Sequence, residues 1–169
     1  GLVFGLTGLE GGRVVHWSHM LAVRAGSQDH GIGRRLKEFQ RSAVAALGAQ
    51  VIYWTYDPLV ARNAHLNFNL LGARVKEYAR DMYGDMGSTV TRGIGSDRFV
   101  VASPVDPVEV DARRAEAARV RADAAFAAAP VVNPVLGEDI VRAAAAVGAP
   151  RLRVRIPVDI GALQAQDLA

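Results

Sequence analysis

The chain predicts an α/β fold, a mixed sheet with flanking helices. Three observations carry that reading. β-Branched and aromatic runs recur at residues 2–6, 14–23, 50–56, 74–78 and 97–102. Two segments of helical period, residues 31–47 and 59–71, lie between them. The 169 residues are 50% hydrophobic, enough for one domain with a real core or for one domain plus an appendage.

Residues 2–6 read as a strand, and Gly8-Leu9-Glu10-Gly11-Gly12 as the turn of a hairpin. Residues 14–23 are the returning strand, apolar enough to suit burial on both faces. A loop at 25–30 leads into the helix 31–47. There Ile32, Leu36, Phe39, Ala43 and Leu47 recur as the apolar face, opposite Arg34, Arg35, Lys37, Glu38 and Arg41. Gly48 supplies its stop. Residues 50–56 form a strand ended by Asp57-Pro58, 59–71 a helix stopped by Gly72, 74–78 a strand, 81–95 a loop and 97–102 a strand. Beyond 103 the composition changes: Pro104, Pro107, Pro130, Pro134, Pro150 and Pro157 punctuate it. An Ala/Arg helix is expected at 111–129, a short helix at 138–147 and a strand at 152–156. On that strand Leu152, Val154 and Ile156 face one way and Arg151, Arg153 and Arg155 the other. The expected division is a core, residues 1–103, and a C-terminal α/β extension, residues 104–169. Both ends of the chain read as cut.

The chain has no Cys, which excludes disulfides, thiolate metal sites and a cysteine nucleophile. No His/Asp/Glu spacing suggests a metal site. No apolar run is long enough to span a membrane and no signal peptide is visible, so cytoplasmic residence without a membrane partner is expected. The net charge of +3 comes from scattered residues, and every basic one except Lys37 and Lys76 is Arg. Such scatter argues for compositional bias over a nucleic-acid surface, while the excess suits an anionic small ligand.

The stretch Gln28-Asp29-His30-Gly31-Ile32-Gly33-Arg34 sits between a strand and a helix. That arrangement points backbone N–H groups at an anion. Gly31 and Gly33 lack a Cβ and let a phosphate approach the main chain, and Arg34 and Arg35 add positive charge. The stretch suggests a pyrophosphate site.

Gln28, Gly31 and Gly33, preceded by His19-Met20-Leu21-Ala22-Val23, resemble the Gln-x-x-Gly-x-Gly acyl-CoA-binding motif of the GNAT superfamily of N-acyltransferases. Residues 63–73, with Phe68 four before Gly72, resemble its second motif. His16-Trp17-Ser18-His19-Met20, Trp54-Thr55-Tyr56-Asp57-Pro58-Leu59 and Met82-Tyr83-Gly84-Asp85-Met86 are similar to a poorly characterised bacterial branch of predicted acetyltransferases. The resemblance covers about residues 1–103 and lacks the amino-terminal elements of that fold, so an uncovered apolar half is expected.

The resemblance implies a splayed central sheet with the thioester in the gap. Leu21, Ala22 and Val23 would offer backbone groups to the pantetheine arm. Backbone N–H groups of Asp29, His30, Gly31, Ile32, Gly33 and Arg34 would hold the pyrophosphate, and Asn63 and Asn67 would touch the cofactor. No metal is implied. His19 is the candidate base, and Asp57 and Tyr83 are candidates for contacting the acceptor. Phe68 stands where many members carry a Tyr as general acid, which leaves Tyr78 or Tyr83 as substitutes, or an unassisted thiolate. Tyr53, Trp54, Tyr56, Met82 and Tyr83 are candidates for the acceptor pocket. The implied function is transfer of an acyl group, acetyl first and succinyl as the alternative, from acyl-CoA to the primary amine of a small molecule or amino acid. A homo-oligomer remains open. The competing reading is a non-catalytic acyl-CoA-binding or assembly protein.

Overall fold

The computed structural model describes residues 1–84, 95–133, 148–158 and 160. Strands β1 (Leu2–Glu10) and β2 (Arg13–Ala22) form the hairpin, turning at Gly11 and Gly12, both at positive φ. Then come helix α1 (Ile32–Ala46), strand β3 (Val51–Tyr56), helix α2 (Ala61–Ala64), strands β4 (Arg74–Ala79) and β5 (Arg98–Pro104), and helices α3 (Pro107–Ala122) and α4 (Ala124–Ala127). The sheet runs β1-β2-β3-β5-β4. Only β2 and β3 are parallel, and α1 is the crossover between them. The other pairs are antiparallel. Among the described residues no helix is long and apolar enough to cross a membrane.

Alternation sorts the side chains. Ile52, Trp54 and Tyr56 of β3 and Val101 of β5 turn to the face that packs on Val44 of α1 and on Leu71, the core of the molecule. Leu2, Phe4, Leu6 and Met20 turn to the opposite face and are exposed, Leu6 by 64%. The β2 strand is therefore covered on one face rather than two. On it His16 and Ser18 are buried, and Met20 is open to solvent.

The buried face of α1 departs from the apolar pattern after its first turn, where Ile32 and Leu36 are half-buried and Arg34 and Arg35 exposed as expected. Lys37, Gln40, Arg41 and Val44 are buried, while Phe39 is 69% exposed, and Leu47 is exposed too. Lys37 and Arg41 find partners inside that the pattern could not foresee. Arg41 Nη2 donates to the Leu71 carbonyl and to Ser103 Oγ, each at 3.0 Å. α2 does not continue as regular α-helix: residues His65–Leu70 are π-helical, closed by Leu71 N–H on the Leu66 carbonyl.

The long Ala/Arg helix starts earlier than expected. Asp106 caps it through Val108 N–H at 2.9 Å, with Pro107 in the first turn. It breaks at Asp123, which leaves helical backbone angles and caps α4 through Ala125 N–H. The expected strand 152–156 is replaced by one parallel bridge, Val131 to Arg153, and Val154 and Ile156 are exposed. The expected helix 138–147 and residues 85–94 of the expected loop lie outside the described residues.

Candidate functional site

The last residues that β2 and β3 share are Trp17 and Tyr53. Beyond them β2 runs to Ala22 on β1 alone, and β3 runs to Tyr56 on β5 alone. The two parallel strands part and leave a wedge-shaped gap. Its local cause is a bulge in β2. Ser18 pairs with Gly5 and Met20 with Phe4, so His19 is an extra residue opposite no partner. A bulge bends its strand and raises the twist. Gly5 makes room for it, because a Cβ there would lie 2.3 Å from His16 Nε2 and 2.5 Å from the Trp17 carbonyl oxygen.

The open end of the gap leads to the glycine turn. Leu21, Ala22 and Val23 line its β2 side with no β3 partner. Gln28 Nε2 donates to the Val23 carbonyl at 3.3 Å and Gln28 Oε1 accepts from Arg62 Nη1 at 3.4 Å, which fixes the turn between β2 and α2. His30 Nδ1 lies 2.6 Å from the Gln28 carbonyl oxygen. Asp29 and Gly31 both take positive φ, 63° and 70°. Gly31 is the N-cap of α1 and no side chain caps the helix, so the N–H groups of Ile32, Gly33 and Arg34 are left for a ligand. A Cβ on Gly33 would meet Leu21 Cδ2 at 3.8 Å, so this glycine sits against β2, and the turn is most open at Gly31, where a Cβ would meet nothing. The Arg34 side chain folds back to Glu38 at 2.8 Å, away from the turn.

The apex of the gap has a polar floor. Lys37 Nζ donates to Ser18 Oγ at 2.6 Å and lies 4.1 Å from the centre of the Trp54 ring. Ser18 and Trp54 are the first residues past the last shared pair, so Lys37 bridges the two strands where they part. Trp54 Nε1 donates to Asn67 Oδ1 at 3.1 Å, which turns Asn67 into the core. Asn63, one helical turn earlier, is half-buried. His16 stands beside the apex. Gln40 Nε2 donates to its Nε2 at 3.0 Å, leaving Nδ1–H for Thr7 Oγ1 at 2.9 Å, the neutral tautomer. Burial first, and then the nearby Lys37, hold its pKa below the ordinary value. Burial pushes Lys37 down to about 7, helped by Arg41.

His16 and His19 turn to opposite faces, and His19 is the exposed one, its ring edge-on to Phe4 at 6.4 Å. Asp57 ends β3. Its Oδ1 accepts from Leu59 N–H at 2.9 Å and its Oδ2 lies 3.9 Å from Arg98 Nη1. Tyr83 comes from the loop after β4: its hydroxyl is 3.0 Å from Thr55 Oγ1, and Arg98 stacks 5.4 Å from its ring. Thr55, Asp57, Arg98 and Tyr83 thus gather at the end of β3 where the strands have parted. The five aromatic and Met candidates for the acceptor pocket divide: Trp54 and Tyr56 are buried, whereas Tyr53, Met82 and Tyr83 are not. Tyr78 is tied to Asp97, which raises its pKa. Phe68 packs edge-on against Tyr56 at 5.8 Å. Burial raises the Tyr56 hydroxyl to about 12.

A cleft of about 340 Å³ lies at the other end of the sheet, lined by Glu10, Arg13, Tyr53, Glu109 and Arg113 among others. Of its lining, Tyr53 also stands at the last β2–β3 pair, and no residue of the glycine turn lines it. Among the described residues no three His, Cys, Asp or Glu side chains gather as a metal ion would need.

Sequence reasoning missed Lys37 and Ser18, and took Tyr56 only as a candidate for the acceptor pocket. A signal for Lys37 was present: in a chain whose basic residues are nearly all Arg, it is one of two Lys. Arg stays charged in any setting, whereas Lys can give up its proton when buried.

No protein-family model matches the chain. No curated protein matches its sequence. Solved structures do. Naa20 of Chaetomium thermophilum, in complex with a bisubstrate analogue, is 18% identical, with 68% of this chain and 60% of that chain covered, at a TM-score of 0.50. The NatC complex bound to Gag peptide and CoA is 19% identical over 60% and 58%, at 0.49. The ribosomal-protein-S18-alanine N-acetyltransferase of Escherichia coli is 19% identical over 62% and 61%, at 0.47. The chain spans about three fifths of the length of these structures. The likeness to Naa20 shows a shared fold, the GNAT fold, in agreement with the mixed five-stranded sheet.

Proposed function

We propose that the chain binds acyl-CoA and transfers its acyl group to a primary amine. The observation that carries the reading is the gap between β2 and β3, which leads from the uncapped N-terminus of α1 down to the Lys37 apex. Such a slot accepts an extended arm with a phosphate head at one end. The turn N–H groups and the positive end of the α1 dipole hold the pyrophosphate. Backbone groups of Leu21, Ala22 and Val23 that lack a β3 partner hold the arm, with Asn63 at its side. Asn67 acts on the cofactor only through Trp54.

In the reaction the acceptor's ammonium gives one proton to His19, its nitrogen attacks the thioester carbonyl, and as the C–S bond breaks the second proton of the nitrogen passes to the departing thiolate, leaving the amide and free thiol. Asp57 and Tyr83 stand at the end of β3 to meet the ammonium. The acceptor, read from sequence as a small amine or amino acid, is taken here as any primary amine, a peptide N-terminus included. Phe68 favours a second reading, a non-catalytic CoA-binding protein, because it places no hydroxyl at that position.

Thiol release with acetyl-CoA and a panel of small amines and peptides with free N-termini separates the two readings. Turnover with at least one acceptor supports the enzyme. CoA binding without turnover on any acceptor supports the non-catalytic reading, and no CoA binding refutes both. His19→Ala is expected to lower kcat by about a hundredfold and leave CoA affinity intact. Full activity in that variant would remove His19 from the mechanism.

A further inference from the structure

Lys37 is buried to 5% exposure without a carboxylate beside it. The groups that face it are Ser18 from β2, Trp54 from β3 and Arg41 from α1, with His16 near on β2. None is acidic. Among the described residues Lys37 and Arg41 are buried, and no Asp or Glu is. The acidic neighbour on α1, Glu38, lies at the surface between Arg34 and Arg114. A buried cation without a counterion is costly, and it holds its charge when an anion arrives to pair with it.

Its position says which anion. From Val23 to Ser18 the five steps of β2 cover about 16 Å along the gap. An arm held by its phosphates at the turn and laid down that gap meets the apex with its acyl end. Resting on the acyl-CoA reading above, we propose that Lys37 reads a carboxylate at the far end of the acyl chain, so that the chain prefers a dicarboxylic acyl-CoA, such as succinyl-CoA, to acetyl-CoA. Ser18 holds the amine in place by its 2.6 Å bond, and Trp54 supplies a face that accepts a cation but gives no competing negative charge.

Calorimetric titration of the full chain with CoA, acetyl-CoA and succinyl-CoA tests this. The expected result is succinyl-CoA binding about tenfold tighter than acetyl-CoA near pH 7. That ratio should fall as pH rises toward 9, because Lys37 loses its proton while the succinyl carboxylate keeps its charge. Lys37→Gln should bring the ratio to about one, with its fold checked by circular dichroism. Equal affinities in the unaltered chain, with CoA bound, overturn the proposal and leave the cofactor reading standing. A ratio unmoved by pH overturns it too, even where the variant fails to fold. No binding of any of the three refutes the cofactor site and Lys37's role with it.

Discussion

Tyr56 and Phe68 show how much a single hydroxyl decides. The resemblance places a Tyr as general acid where this chain has Phe68, and the nearest phenol packed on that ring is Tyr56, from the adjoining strand. Its hydroxyl has no hydrogen-bond partner among the described residues. With a pKa raised to about 12 it stays protonated through neutral pH, able to donate a hydrogen bond to a departing thiolate. Tyr56→Phe is therefore expected to lower kcat about tenfold or more while KM for acyl-CoA holds. A stopped-flow or thiol-release assay decides it, and unchanged kcat would leave the thiolate unassisted. The tyrosines favoured from sequence sit otherwise: Tyr78 is tied to Asp97, and Tyr83 is bonded to Thr55 on the acceptor side.

The hairpin and α1 are the elements that shape the site, and they differ in how far the sequence reveals them. Gly5→Ala would push a methyl into His16 and the Trp17 carbonyl where β2 bulges. A loss of about 1–3 kcal/mol is expected in urea melts, with the Thr7–His16–Gln40 chain disturbed first. Gly72→Ala adds a smaller strain of its own kind, since Gly72 has φ 64° and a Cβ there would come 3.0 Å from the Val110 carbonyl oxygen. The succession of the five strands along the chain and the glycine turn were legible because apolar runs and glycines mark them, while the helix expected at 59–71 is α-helical only over Ala61–Ala64 and π-helical after it. The face of α1 was not. Period alone put Phe39 and Leu47 inside and Lys37 and Arg41 outside, whereas the interior here is polar: Lys37 meets Ser18, and Arg41 meets Ser103 and the Leu71 carbonyl, all far away in sequence, while Gln40 Oε1 and Arg41 Nε have no partner among the described residues. The bulge at His19 was equally hidden, since it exists only against the register of β1. The expected strand at 152–156 failed for a related reason: alternation of Arg with apolar residues describes a pattern and supplies no neighbouring strand to pair with.

At the scale of the whole molecule, one sheet face carries the helices and a core with buried cations, and the other leaves Leu2, Phe4, Leu6 and Met20 in solvent. The buried side sets the response to pH. Lys37 binds its proton more weakly folded than unfolded, so between pH 7 and its ordinary value of 10.5 the unfolded chain holds more protons. Stability then rises with pH in that window, by roughly 1.4 kcal/mol per unit at most. His16, lowered by burial, acts in the same sense further down: its contribution is present above its unfolded pKa and is lost as pH falls through and below it. Thermal melts are expected to show a midpoint that climbs from pH 5 to pH 10. Lys37→Met should flatten the upper part of that climb. A midpoint that falls between pH 7 and pH 10 in the unaltered chain would show that Lys37 stays charged in the folded state.

A sheet of five strands ordinarily has two edges. The parting of β2 from β3 past Trp17 and Tyr53 gives this one an inner pair of edges as well, main-chain donors and acceptors that face each other without meeting. Such groups are a natural clock. Amides on the gap side of residues 19–22 of β2 and 54–56 of β3 should exchange with deuterium quickly, while those of β2 that point to β1 stay slow. An occupant of the gap would slow the first set and leave the second untouched, so a ligand for this protein can be recognised by which alternate amides it silences, before any product is looked for.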